Sequence, residues 1–262
     1  MPVQLERTDD GVAVLTLDDP ERRNAMTEAM GDDLTARCAE LADDTDVRAV
    51  VLTGAPPAFS AGGDLAMLED LGRRTRDEGF DAADHMRAFY RRFLAVRDLP
   101  QPVIAAINGH AVGAGLCVAL ACDLRLVASE AKVGLNFARL GLHPGMGGSW
   151  LLPRTLSDQQ AKLWLYTGRL FGGEEAAAAG LALEARPADE VLPAALALAT
   201  EIAGASPVVV RQLKTTLATL PADLDAALDR EAAAQAVNYG SQDLVEGLAA
   251  GRERRAPDFP GR

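Results

Sequence analysis

The chain has 262 residues, enough to bury a full-sized core and near the upper end of what one domain usually holds. Its 26 Lys and Arg against 38 Asp and Glu leave a net charge of −12, which argues against nucleic acid or an anionic membrane surface as a partner. Three cysteines, Cys38, Cys117 and Cys122, are an odd number in a chain too large to need disulfide staples; no Cys and His spacing suits a structural metal, and no apolar stretch is long enough for a bilayer, so a soluble protein of the reducing cytoplasm is expected.

In chain order, the opening MPVQLERTDDGVAVLTL lacks the pattern of a secretion signal. Val12 to Leu17 alternates and is rich in β-branched residues, which predicts a strand. Apolar residues recur at helical spacing over Ala25 to Leu41, with Asn24 available as N-cap. A short apolar run, Ala49 to Thr53, reads as the next strand, and Phe80 to Leu99 as a helix that stops before Pro100. Val103 to Ile107, Leu124 to Val127 and Val133 to Leu135 are further short strands. After Ser157 strand signals nearly vanish: 159–166, 174–179, 188–202, 207–217 and 224–237 all favour helix by composition. Strands alternating with helices predict a mostly parallel, layered α/β arrangement, followed by a helical last third. The expected division is a core over 1–200 and a helical region over 201–262.

Two turns are rich in small residues. Ala61-Gly62-Gly63-Asp64 follows a strand and precedes the apolar segment Leu65 to Leu71. Gly113-Ala114-Gly115 follows another and leads into the apolar run Cys117 to Cys122. Small residues let a ligand approach the backbone, and amides at a helix start are unpaired donors that favour negative charge. Taken singly, each is an ordinary strand-to-helix turn. Facing one another above a parallel sheet, the pair would form an oxyanion hole. Neither has the spacing of a dinucleotide fingerprint, and no Gly-Lys-Ser or Gly-Lys-Thr makes a P-loop.

With Pro20-Glu21-Arg22-Arg23-Asn24-Ala25 upstream, Ala121-Cys122-Asp123-Leu124-Arg125 and Leu140-Gly141-Leu142-His143-Pro144-Gly145 downstream, and the terminal Arg255-Ala256-Pro257-Asp258-Phe259, the turns resemble the crotonase (enoyl-CoA hydratase/isomerase) family over nearly the whole chain. The resemblance implies a spiral of ββα units with a C-terminal helical oligomerisation region, assembled as a homotrimer or as a hexamer built from two trimers. It implies an acyl-CoA substrate, no separate cofactor, and an oxyanion hole made by the amides of Gly63 and Ala114. It places Arg22, Arg23, Ala25, Ala61, Asp64, Leu65 and Ala66 along the CoA channel, with Phe259 reaching the nucleotide end from a neighbouring subunit. Where the family often carries a Lys three residues past the first oxyanion donor, this chain has Ala66.

The chain also departs from the family where hydration chemistry resides. By resemblance, the two hydratase carboxylates fall on Cys117 and Phe137, and neither side chain replaces a carboxylate. Cys117 reads either as a weak acid or nucleophile on the helix face of Ala114, or as a buried thiol; Phe137 reads as pocket wall. His143 stands in the turn Gly141 to Gly145 as the side chain best suited to proton transfer near neutral pH, or else packs against the turn before Pro144. Asp64 reads as a helix cap. The expected function is an enzyme of the enoyl-CoA hydratase/isomerase type, a lyase or isomerase that stabilises an enolate oxyanion. A non-catalytic acyl-CoA-binding protein, or a decarboxylase or thioesterase on the same fold, is the alternative.

Overall fold

The computed structural model describes all 262 residues. Strands β1 (Val3–Arg7) and β2 (Val12–Leu17) form an antiparallel hairpin, and a 3-10 turn at Pro20–Arg22 leads to α1 (Glu28–Ala42). Next come β3 (Ala49–Gly54), β4 (Ala58–Ser60), α2 (Leu65–Glu78) and α3 (Ala83–Asp98). They are followed by β5 (Val103–Ile107), β6 (His110–Val112) and α4 (Ala114–Ala121). β7 (Leu124–Ala128), β8 (Lys132–Gly134) and a 3-10 turn at Asn136–Leu140 lead into α5 (Gly148–Thr155) and α6 (Asp158–Thr167). The chain ends with β9 (Phe171–Gly172), α7 (Gly173–Ala178), β10 (Ala185–Arg186), α8 (Ala188–Ala203), α9 (Pro207–Ala218), α10 (Leu224–Tyr239) and α11 (Gln242–Glu253).

The strands sort into two sheets, and the sorting is what builds the spiral. The larger has the order β1-β2-β3-β5-β7-β10 and is parallel from β2 onward; the smaller has the order β4-β6-β8-β9, parallel through β8. Each turn of chain thus gives one strand to each sheet and then a helix, as β3-β4-α2, β5-β6-α4 and β7-β8-α5 do. β3 and β5 are buried along their whole length, which parallel strands covered on both faces require and which explains their unbroken apolar runs.

Helix α8 covers the large sheet with Val191, Ala195, Ala199 and Ala203, all buried and repeating every four residues, so one narrow small-residue face lies against the strands. The domain boundary expected after residue 200 falls inside this helix. Helices α9 to α11 differ in kind. α10 buries none of its residues, and Leu217, Leu220, Leu224 and Val237 are each at least 60% exposed. No single helix is long and apolar enough to cross a membrane.

One expectation fails in an informative way. The helix predicted from Ala25 begins at Glu28, with Thr27 accepting from the Met30 amide, and Asn24 is not its cap. Asn24 is fully buried in the left-handed region at φ 54°, a conformation asparagine tolerates. Its Nδ2 donates to the carbonyls of Ala55 (2.8 Å) and Ala58 (2.7 Å), and its Oδ1 accepts from the Asp19 amide (2.9 Å). The side chain that periodicity offered to a helix instead ties the segment before α1 to the loop entering β4.

Candidate active site

Three segments converge on the first small-residue turn. The Ala61 amide donates to the Arg23 carbonyl (2.9 Å), the Met26 amide to the Gly62 carbonyl (2.8 Å), and the Ser60 hydroxyl to the Asn24 carbonyl (2.7 Å). The second turn is brought alongside by the parallel pairing of β4 with β6, in which Ser60 stands opposite Ala111. Contact between the turns is close enough to exclude side chains. Gly62 has φ 93°, and a Cβ there would lie 2.4 Å from the Val112 carbonyl oxygen and 3.4 Å from the Ala114 nitrogen. A Cβ on Gly115 would lie 2.5 Å from the Ser60 carbonyl oxygen. Glycine is required at both positions by the approach of backbone to backbone.

At this junction the backbone has donors to spare. Neither the Gly63 amide nor the Ala114 amide has a hydrogen-bond acceptor within the chain. Ala114 is the first residue of α4, where the amides have no intrahelical partner and the helix dipole favours negative charge. Gly63 has room for a ligand: even a Cβ built on it would meet only Leu68, at 3.7 Å.

Both turns open into a cavity of about 860 Å³. Its walls are Arg22 and Ala25, the first turn from Ala61 to Ala66, one face each of α2 and α3, Gly113 and Ala114, the 3-10 turn bearing Asn136 and Phe137, and the loop from Leu142 to Met146. The lining is mostly apolar, with Leu65, Leu140 and Leu142 exposed to it. Of the residues singled out by sequence, Arg22, Ala25, Ala61, Gly63, Asp64, Leu65, Ala66, Ala114, Phe137 and His143 all lie on this wall. Three do not. Arg23 is absent from it and contributes through its carbonyl, at φ 54°. Phe259 packs on Gly247 while its carbonyl accepts from Arg48 at 2.8 Å, so its own subunit's cavity is not where it sits.

Cys117 is the third: of its two readings, the acid or nucleophile facing the acyl group is corrected and the buried thiol is what the structure shows. Its side chain is fully buried behind the wall, its thiol directed at the Gly145 carbonyl (3.5 Å) and packed beside Gly148. Burial pushes the thiol up to about 12, so it is neither an available acid nor a thiolate near neutral pH. The reason is rotational: every residue of the short helix α4 is buried, and the face that carries Cys117 is turned into the core.

The ionisable and hydroxyl groups left on the wall are few. Asp64 is the only carboxylate, and it caps α2, accepting from the Met67 amide at 2.9 Å. His143 is exposed, with Nδ1 2.9 Å from the Pro144 carbonyl. A carbonyl only accepts, so the proton of the neutral ring belongs on Nδ1 and Nε2 is left basic. Tyr90, on α3, was not found from the sequence, because an aromatic residue in an amphipathic helix looks like core; its position on the cavity depends on how α3 is turned. His110, in β6, accepts from the Lys132 amide at 2.9 Å, a structural role.

Fold and cavity together define an α/β protein of the ββα-spiral class, whose ligand site lies where two strand-to-helix turns meet. The family profile described as enoyl-CoA hydratase/isomerase matches residues 7–262. A Mycobacterium tuberculosis protein described as a probable enoyl-CoA hydratase is 40% identical over 260 residues, covering 97% of this chain and 98% of that protein. The crystal structure of enoyl-CoA hydratase from Bacillus anthracis is 31% identical with a TM-score of 0.89 and complete coverage of both chains. An enoyl-CoA hydratase structure from Mycobacterium smegmatis is 27% identical with a TM-score of 0.86, covering 99% of each chain. The chain belongs to the enoyl-CoA hydratase/isomerase (crotonase) family and is an acyl-CoA-processing enzyme of that type.

Proposed function

We propose that the Gly63 and Ala114 amides hold the thioester oxygen of a bound acyl-CoA and stabilise the enolate that forms when charge moves onto it. The observation that carries this reading is the pair of partnerless amides at abutting turns, one of them at a helix N-terminus. Preorganised donors of this kind contribute about 3–4 kcal/mol each to a developing oxyanion in a water-poor site. His143, with Nε2 free, takes or returns a proton. Phe137 serves as wall, and the apolar walls of α2 and α3 receive the acyl chain.

Arg22 meets CoA phosphates beside Ala25, Ala61, Asp64, Leu65 and Ala66, and Arg23 supports that segment through its backbone. The reaction uses no cofactor beyond the CoA of the substrate and no metal. The exposed leucines of α9 to α11 form the contact of a trimer or a dimer of trimers in the cytoplasm, and in that assembly Phe259 serves a neighbour's CoA site. Isotope-edited infrared spectroscopy of bound hexanoyl-CoA tests the central claim. The thioester carbonyl stretch moves to lower frequency if two amides polarise it; an unshifted stretch in a saturated complex would remove the cradle.

A further inference from the structure

Enolate chemistry ends with a proton returned to carbon, and the cavity wall holds few groups able to deliver one. Cys117 is behind the wall, Asp64 is engaged as the cap of α2, and Arg22 is permanently charged. Thr75 and Asn136 are too weakly acidic to serve. Two groups remain, His143 and Tyr90.

Tyr90 has three properties that set it apart from a core aromatic. Its ring edge packs against Phe89, with centroids 6.4 Å apart, while its hydroxyl lies on the cavity side without a hydrogen-bond partner in the chain. The phenol is half-buried, so its hydroxyl is free to donate to a ligand or water in the cavity. The hydroxyl also presses on the Cα of Gly145: a Cβ there would lie 2.5 Å from Oη, so Gly145 is the residue that lets the phenol reach this spot. Gly145 is two residues from His143. Burial, with a smaller contribution from Cys117, pushes the Tyr90 phenol above its ordinary range, which keeps the proton on oxygen until an acceptor as basic as an enolate carbon is presented.

We infer that Tyr90 is a catalytic residue, the phenol that exchanges a proton with the α-carbon of the bound acyl group, while His143 exchanges the proton of Tyr90. This rests on the thioester cradle proposed above. In the forward step the Oη–H bond breaks and the enolate double bond supplies the electron pair for the new Cα–H bond. The charge held by Gly63 and Ala114 collapses to the carbonyl, and the phenolate regains a proton from Nε2 of the His143 imidazolium, directly or through a water, which returns His143 to its neutral Nδ1–H form. In reverse, Tyr90 passes its proton to His143 Nε2 and the phenolate removes the α-proton.

The test is α-proton exchange. Hexanoyl-CoA is incubated in deuterium oxide with the wild-type protein and with Tyr90→Phe, and loss of the α-proton signal is followed by NMR, beside calorimetric affinities and melting temperatures for both. Tyr90→Phe keeps the ring and its packing, so a structural role leaves exchange unchanged. The expected result is exchange slowed by about 10²-fold or more with affinity for hexanoyl-CoA within about twofold. Exchange in Tyr90→Phe within twofold of wild type overturns the assignment and leaves the cradle standing. A wild-type protein that binds hexanoyl-CoA without exchanging it overturns both.

Discussion

The Ser60 hydroxyl donates to the Asn24 carbonyl at 2.7 Å while accepting from the Gly62 amide at 3.2 Å, so one buried oxygen fixes the first donor turn against the segment that precedes α1. Ser60→Ala leaves a buried carbonyl and an amide without that partner, a loss of about 1–3 kcal/mol. Chemical denaturation measures it. Activity should fall with it, because the turn carries Gly63; a variant as stable as wild type would mean that the turn holds its shape unaided.

At Gly63, the amide and the side chain can be separated. Gly63→Ala adds a methyl that meets only Leu68 and keeps the N–H, whereas Gly63→Pro removes the N–H. We expect the alanine variant to keep turnover within about threefold and the proline variant to lose about 10²–10³ in kcat. Steady-state kinetics on an acyl-CoA substrate decide it. Equal activity in both would show that the Gly63 amide carries no charge.

His143→Ala should reduce turnover by about 10²-fold with little change in melting temperature, since the ring is exposed and its hydrogen bond is to the carbonyl of the neighbouring Pro144. Full activity in the alanine variant would assign the proton step elsewhere.

Cys117→Ala should retain turnover within about twofold and lose about 1 kcal/mol of stability, since the site loses one buried sulfur and no cavity contact. In the native protein the thiol should resist iodoacetamide at pH 8, being fully buried and raised to about 12. Mass spectrometry after native and denatured labelling reads both states. Rapid native labelling would place the thiol on an open surface.

The C-terminal tail should be latched in a pH-dependent way. Arg255 hydrogen-bonds Glu246, the Asp258 amide adds a further donor, and together they lower the Glu246 carboxyl to about 2. Since the folded pKa lies below the unfolded one, the stabilisation is present above the ordinary glutamate range and is lost as pH falls from about 4 toward 2. Melting curves of wild type and Glu246→Gln should therefore differ at pH 6 and converge near pH 2. A difference that persists at acid pH would trace the latch to packing.

Along the chain, what could be read without coordinates was whatever depends on local order. Period-2 alternation fixed β2, unbroken apolar runs fixed β3 and β5, and motif order fixed the family, with both small-residue turns placed where the cavity opens. Five of the strands went unread: β1, whose sequence VQLER is mostly polar, and β4, β6, β9 and β10, which are two or three residues long and give a period little to register on. Yet β4 and β6 are the strands that set the two turns side by side. Side-chain direction was likewise beyond sequence: Asn24 left a predicted helix for three backbone partners, Cys117 turned into the core, and Tyr90 turned out of it. Each was decided by rotation of an element about its own axis against neighbours distant in the chain, and that angle is set by packing, which only the tertiary structure contains.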